Sequence, residues 1–269
     1  MAPLSLDNLT VLGTTPVEML AIAERLGFDA ISPIALPSAR VNLAIQPLHR
    51  GSTAARALGE RLRDSPVHIH NMDGFTIHPD VDRTVYWDTI ELSAELGAER
   101  IVTLLFDPEH ERGFDTFCRL CERCASHGIG VGLEFMALSQ VRDMAAADAY
   151  LHRADQPNAQ ILVDFFHLLQ SGGTATDLTS IDPGRICSAQ ICDGAAGMTM
   201  EAYAYNAVND RKLPGEGEMP IAQILAALPR GVMVGVEIPH RAMTEAGVSP
   251  YERARIALAA TRAAFTDAS

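Results

Sequence analysis

Short runs of β-branched and other apolar residues alternate along the chain with longer stretches of helical hydrophobic period. Leu9 to Leu12 predicts the first strand. Pro16 to Leu26 predicts a helix, with Thr15 as N-cap, proline at the first helical position and Gly27 as the stop. Asp29 to Ile34 predicts a strand, Ser52 to Arg63 a helix, and Val67 to His70 the third strand. A helix over Pro79 to Leu96 then ends at Gly97. Strands follow at Arg100 to Leu105, Gly130 to Phe135, Ala159 to Asp164, Arg185 to Ile191 and Val232 to Ile238. Between and after them lie helices at Phe114 to Ser126, Leu138 to Arg153, Thr174 to Thr179, Met219 to Leu228 and Pro250 to Phe265.

Eight βα units in 269 residues, with no linker, charge block or low-complexity tract, predict one α/β domain over residues 1–269. Strict alternation implies a parallel sheet covered by helices, and eight units imply a single closed (β/α)8 TIM barrel. The first connection, Leu12-Gly13-Thr14-Thr15, lacks the glycines of a dinucleotide-binding fold.

Composition narrows the function classes. Apolar residues at 48% and charged residues at 20% fit a soluble chain with a sizeable core. With 21 Lys and Arg against 34 Asp and Glu, the net charge of −13 disfavours nucleic acid and anionic membrane surfaces as partners. It leaves room for a small anionic substrate, which one local arginine can hold. No apolar run reaches the roughly 18–20 residues of a membrane span, and no secretory signal is visible at MAPLSLDNLT. Five cysteines, an odd count in a chain with an ample core, fit a reducing compartment; the expectation is cytoplasmic. A homo-oligomer is compatible with the sequence.

The chemistry of such barrels sits at the C-terminal strand ends. Four consecutive predicted strands end on Glu134, Asp164, Gln190 and Glu237, separated by 30, 26 and 47 residues. Carboxylates converging on one mouth would repel one another, and a divalent cation removes the conflict. Four oxygen ligands suit a hard ion, Mn²⁺ or Mg²⁺, with Co²⁺ and Zn²⁺ also open. The alternative is that each is an isolated strand-end group with its own hydrogen bonds.

Five segments carry a resemblance: LEFM at 133–136, VDFFH at 163–167, AQICD at 189–193, RKLPGEGEMP at 211–220 and VEIP at 236–239. They resemble the sugar-phosphate isomerase/epimerase group of xylose-isomerase-like barrels. That group includes hydroxypyruvate isomerase, ketose 3-epimerases, inosose isomerases and dehydratases, and 3-dehydroshikimate dehydratase. The resemblance is good in the C-terminal half; the N-terminal half shares only the βα rhythm. It implies one divalent metal held by Glu134, Asp164, Gln190 and Glu237, with His167 and Arg211 contacting substrate oxygens. Many members have His in place of Gln190; the Gln resembles the hydroxypyruvate isomerase and dehydroshikimate dehydratase branches. Otherwise, His167 opens a helix and bonds backbone, and Arg211 is a solvent-facing loop residue.

His68 and His70 share one face of the third strand, and His70 is either a substrate-site residue near the mouth or a satisfied core histidine. His240 either lines the rim or is an ordinary loop residue. Cys118, Cys121 and Cys124 fit one apolar helix face better than an iron–sulfur motif, which lacks a nearby fourth Cys.

The leading expectation is a metal-dependent isomerase or epimerase of a small hydroxy-carbonyl compound, a sugar or sugar-acid derivative. It would work through an enediolate, with Glu134 and Glu237 moving the proton. The alternative is a lyase on the same scaffold, in which the enolate expels a β-hydroxyl group. A hydrolytic, endonuclease IV-like reading needs many more metal ligands and a basic surface. A binding barrel without chemistry is opposed by the intact ligand set.

Overall fold

Along each strand, apolar residues at alternate positions face the surrounding helices, and the residues between them face the barrel axis. The computed structural model describes residues 2–38, 41 and 43–268. Its strands are β1 (Leu4–Asp7), β2 (Ala30–Ser32), β3 (His68–Ile69), β4 (Asn71–Ile77), β5 (Arg100–Leu105), β6 (Gly130–Glu134), β7 (Ala159–Asp164), β8 (Ile186–Ile191) and β9 (Met233–Val236). Leu4 and Leu6 of β1, Val131 and Leu133 of β6, Ile161 and Val163 of β7, and Val234 and Val236 of β9 all join the main hydrophobic core. Asp7, Glu134, Asp164, Gln190 and Glu237 belong to the other alternating set.

The nine strands pair in parallel in the order β3-β2-β1-β9-β8-β7-β6-β5-β4. Only His70 separates β3 from β4, and an Ile34–Asp73 bridge joins the end of β2 to β4. The order therefore returns on itself as a nearly closed barrel, in which β3 and β4 together fill the third position.

Helix Pro16–Leu26 forms where its end signals place it. Thr15 and Glu18 make a reciprocal capping box, Pro16 opens the first turn, and Gly27 closes it at φ 74°. Helix His110–Ser126 buries Cys121 and Cys124 as free thiols, and burial pushes Cys124 up to about 12, so these cysteines pack rather than react.

Several elements differ from expectation. The first strand is Leu4–Asp7, and Asn8–Val11 is a 3₁₀ turn whose Asn8 Oδ1 accepts from Ile34 N at 3.0 Å. The third strand does not stop at His70. It runs on to Ile77 through a register shift between Met72 and Phe75, where Gly74 sits at φ 104°. Helices at Met200–Asn209 and Arg241–Glu245 fill loops that read as irregular, and His167 lies in a short helix, Phe165–Gln170. Among the described residues no helix is long and apolar enough to cross a membrane.

Candidate active site

A cavity of about 510 Å³ opens at the C-terminal strand ends; Glu134, Gln190, Glu237, His167, Arg211 and Asp73 belong to its polar lining, with Ser38, Thr76 and His78 on the same wall as Asp73 or beside it. Asp164 lies just behind, fully buried. It caps helix Phe165–Gln170: Oδ1 accepts from Phe166 N at 2.7 Å and His167 N at 3.3 Å. Its Oδ2 accepts from Arg211 Nη1 at 2.7 Å, and the same Nη1 lies 3.1 Å from Glu237 Oε2. Burial opposes ionisation of Asp164, but Arg211, His167 and the hydrogen bonds outweigh it and hold the carboxyl below its ordinary range.

Arg211 is thus no solvent-facing loop residue. It is 2% exposed, its Nε donates to Ala207 O at 2.8 Å, and its guanidinium lies 5.2 Å from the Phe166 ring centroid. His167 sits between two partners. Its Nδ1 is 2.7 Å from the Tyr203 hydroxyl, and its Nε2 is 3.3 Å from Glu134 Oε1 and 3.8 Å from Asp164 Oδ2. A hydrogen on Nε2 faces both carboxylates, and Nδ1 then accepts from Tyr203.

Gln190 is oriented from behind. Its Nε2 donates to Asp7 Oδ2 at 3.0 Å, which leaves Oε1 buried without a partner among the described residues. Asp7 is itself held by the Ser5 hydroxyl at 2.8 Å. Gly235 of β9 makes room for it, because a Cβ there would lie 2.2 Å from Asp7 Oδ2. The PGEGE loop is structural: Asp193 accepts from the backbone N–H groups of Gly194, Gly215 and Met219.

The charge balance is one-sided. Asp7, Asp73, Glu134, Asp164 and Glu237 are all buried, and among the described residues the lining sets against them the guanidinium of Arg211 and the imidazoles of His167 and His78. Burial pushes Asp7 up to about 6, against the hydrogen bonds from Gln190 and Ser5. Burial also raises Asp73 and Glu237 well above the carboxylate range, with neighbouring carboxylates adding to both. This donor set fits a divalent cation: the excess of carboxylate oxygens and the partnerless Gln190 Oε1 are what a hard ion takes. Glu134, Asp164 and His167 also have ligand atoms within 4.8 Å of one another.

His70, expected near the mouth, lies elsewhere. Because the third strand continues to Ile77, His70 stands level with the start of β5 and outside the cavity lining. Its Nδ1 pairs with Glu99 Oε2 at 2.7 Å and its Nε2 lies 2.7 Å from Arg100 Nη1. It is a satisfied buried histidine. His240 caps a helix, accepting from Met243 N at 3.4 Å.

Sequence reasoning missed Asp7, Asp73, His78 and Tyr203. Asp7 was legible as the polar member of the Leu-Ser-Leu-Asp alternation. Asp73 and His78 become visible only once β4 is seen to pass through Gly74. Tyr203 rides on a helix that carried no strong signal.

A family model described as xylose isomerase-like TIM barrel matches residues 20–264. A 3-dehydroshikimate dehydratase from Pseudomonas aeruginosa is 30% identical over 113 residues, 42% of this chain and 18% of that protein. The chain thus matches less than a fifth of that relative's length. A solved structure of the IolI protein with a bound zinc atom shares the fold at TM-score 0.79 and 17% identity, covering 99% of both chains. That of L-ribulose 3-epimerase does so at TM-score 0.71 and 16% identity, covering 100% of this chain and 96% of the other.

Proposed function

This chain belongs to the xylose isomerase-like TIM barrel family, and we propose that it is a divalent-metal-dependent isomerase or epimerase of a small hydroxy-carbonyl compound. The observation that carries this reading is Gln190 Oε1, which has no partner among the described residues and sits among more buried carboxylates than the described cations offset. Glu134, Asp164, Gln190 and Glu237 would hold the ion. An all-oxygen set favours Mn²⁺ or Mg²⁺. When bound, the ion would polarise adjacent carbonyl and hydroxyl oxygens and so acidify the carbon-bound hydrogen beside them.

The chain's own groups then move the proton. Glu134 on β6 and Glu237 after β9 reach the cavity from strands three places apart. One removes the proton next to the carbonyl to give the enediolate, and the other returns a proton to the opposite face or to the adjacent carbon. His167 Nε2, beside Glu134, is placed to protonate or steer a substrate oxygen, with Tyr203 fixing its ring. Arg211 keeps Asp164 ionised.

The partial match to a dehydratase supports a second reading, elimination. The first step is the same. The enolate electrons then form the carbon–carbon double bond as the β-hydroxyl leaves, protonated, as water. Incubation of the metal-loaded protein in D₂O with hydroxy-ketones tests both. An isomer of the substrate that carries deuterium next to the carbonyl, and is heavier by that isotope alone, is expected, and loss of water favours the lyase. Glu134→Gln and Glu237→Gln should each lower turnover at least about a hundredfold. Wild-type turnover in both variants overturns the two-carboxylate mechanism.

A further inference from the structure

The cavity lining also has a large apolar share. The polar groups reach it from β4 and from β6 round to β9, with Thr76 and His78 beside β5 on the β4 side. Between them, β5 turns every second residue inward, and Val102, Leu104 and then Phe106 line the space. Past Glu134 the chain does the same with Met136 and Leu138. Helix Met200–Asn209 adds Ala204, Ala207 and Val208, the spacing of one helix face. Leu104, Phe106, Leu138 and Val208 are only partly buried, so their apolar surface stands open to the cavity.

A polyhydroxylated chain fits this apolar part of the lining poorly. A hydroxyl set against Leu104 or Phe106 gives up water and gains no partner, a loss of about tenfold or more in affinity for each such group. The space is also generous: at about 510 Å³ it falls within the roughly 300–1,000 Å³ of sites for drug-sized ligands.

We propose that the substrate is amphipathic, with a hydroxy-carbonyl head at Glu134, Gln190 and Glu237 and an alkyl or aryl body packed against Leu104, Phe106 and Val208. The proposal rests on the reaction assigned above and narrows its substrate class away from free sugars.

Calorimetric titration of the full chain in MnCl₂ with hydroxyacetone, hydroxypentanone, hydroxyoctanone and D-fructose tests it. Affinity should rise about three- to fourfold per added methylene. D-fructose should bind no more tightly than hydroxyacetone. Leu104→Gln and Val208→Asn, on separate elements and checked for folding by circular dichroism, should flatten the dependence on tail length. A flat wild-type series, absence of binding throughout, fructose binding more tightly than hydroxyoctanone, or an undiminished slope in a folded variant each overturn the proposal. If neither variant folds, the wild-type series and its fructose comparison decide alone. Graded binding without deuterium uptake next to the carbonyl sinks only the proton-transfer reading. Deuterium uptake with a flat series sinks only the amphipathic substrate.

Discussion

Gln190 presents its amide oxygen to the cavity because Asp7 takes its amide hydrogen at 3.0 Å. An amide can rotate by half a turn at little cost, so the carboxylate behind it decides which end faces a cation. Asp7→Asn can donate as well as accept and removes that bias. Mn²⁺ affinity, measured by calorimetry, should fall about 10- to 100-fold with the fold intact; unchanged affinity would show that Asp7 does not orient the ligand. His70 gives a prediction at a different place. Burial, with Arg100 and His68 adding and Glu99 opposing, lowers its pKa below the ordinary 6.5. The folded state then binds fewer protons than the unfolded chain, so stability is lost as pH falls from 6.5 through the lower folded value. Between about pH 7 and about pH 5.5, urea midpoints should fall more steeply for wild type than for His70→Gln. Equal slopes would remove His70 from the account.

At the scale of the element, local signals set the outcome where they were strong. Thr15, Pro16, Glu18 and Gly27 delimit one helix without tertiary help. Thr15→Ala should cost about 1 kcal/mol by chemical denaturation. Strand β4 shows the opposite case. The sequence reading ends this strand at His70, yet the barrel carries the chain on through Asn71-Met72-Asp73-Gly74, and a Cβ on Gly74 would lie 2.4 Å from Leu36 O. That approach and the positive φ leave no room for a side chain. Gly74→Ala should destabilise the protein by about 1–3 kcal/mol and shift Asp73 and Thr76 at the cavity edge. A denaturation midpoint equal to wild type would show that the bulge relaxes freely.

For the whole molecule, the buried carboxylates link folding to metal. An ion that binds only the folded state stabilises it in proportion to the logarithm of its free concentration, about 2.7 kcal/mol at a hundred times Kd. Dialysed protein should therefore melt several degrees lower than protein in excess MnCl₂, and EDTA should reverse the gain. Glu134→Gln combined with Asp164→Asn should abolish the shift. A metal-independent melting temperature in wild type would leave the carboxylate excess to be met by protonation alone.

The sequence by itself determined the alternation of strand and helix, the parallel eightfold barrel, and the strand-end positions of Glu134, Asp164, Gln190 and Glu237. These follow from hydrophobic period and end signals, which act over a few residues and survive without tertiary context. Whether Arg211 faced solvent or the cavity, and where His70 lay along its strand, depended on loops and on a bulge. The pairing of Asp7 with Gln190 spans 183 residues, and the apolar lining joins β5, the segment after β6 and a distant helix. Such groupings exist only once the sheet has closed, because barrel closure rather than chain proximity chooses which inward-facing side chains meet.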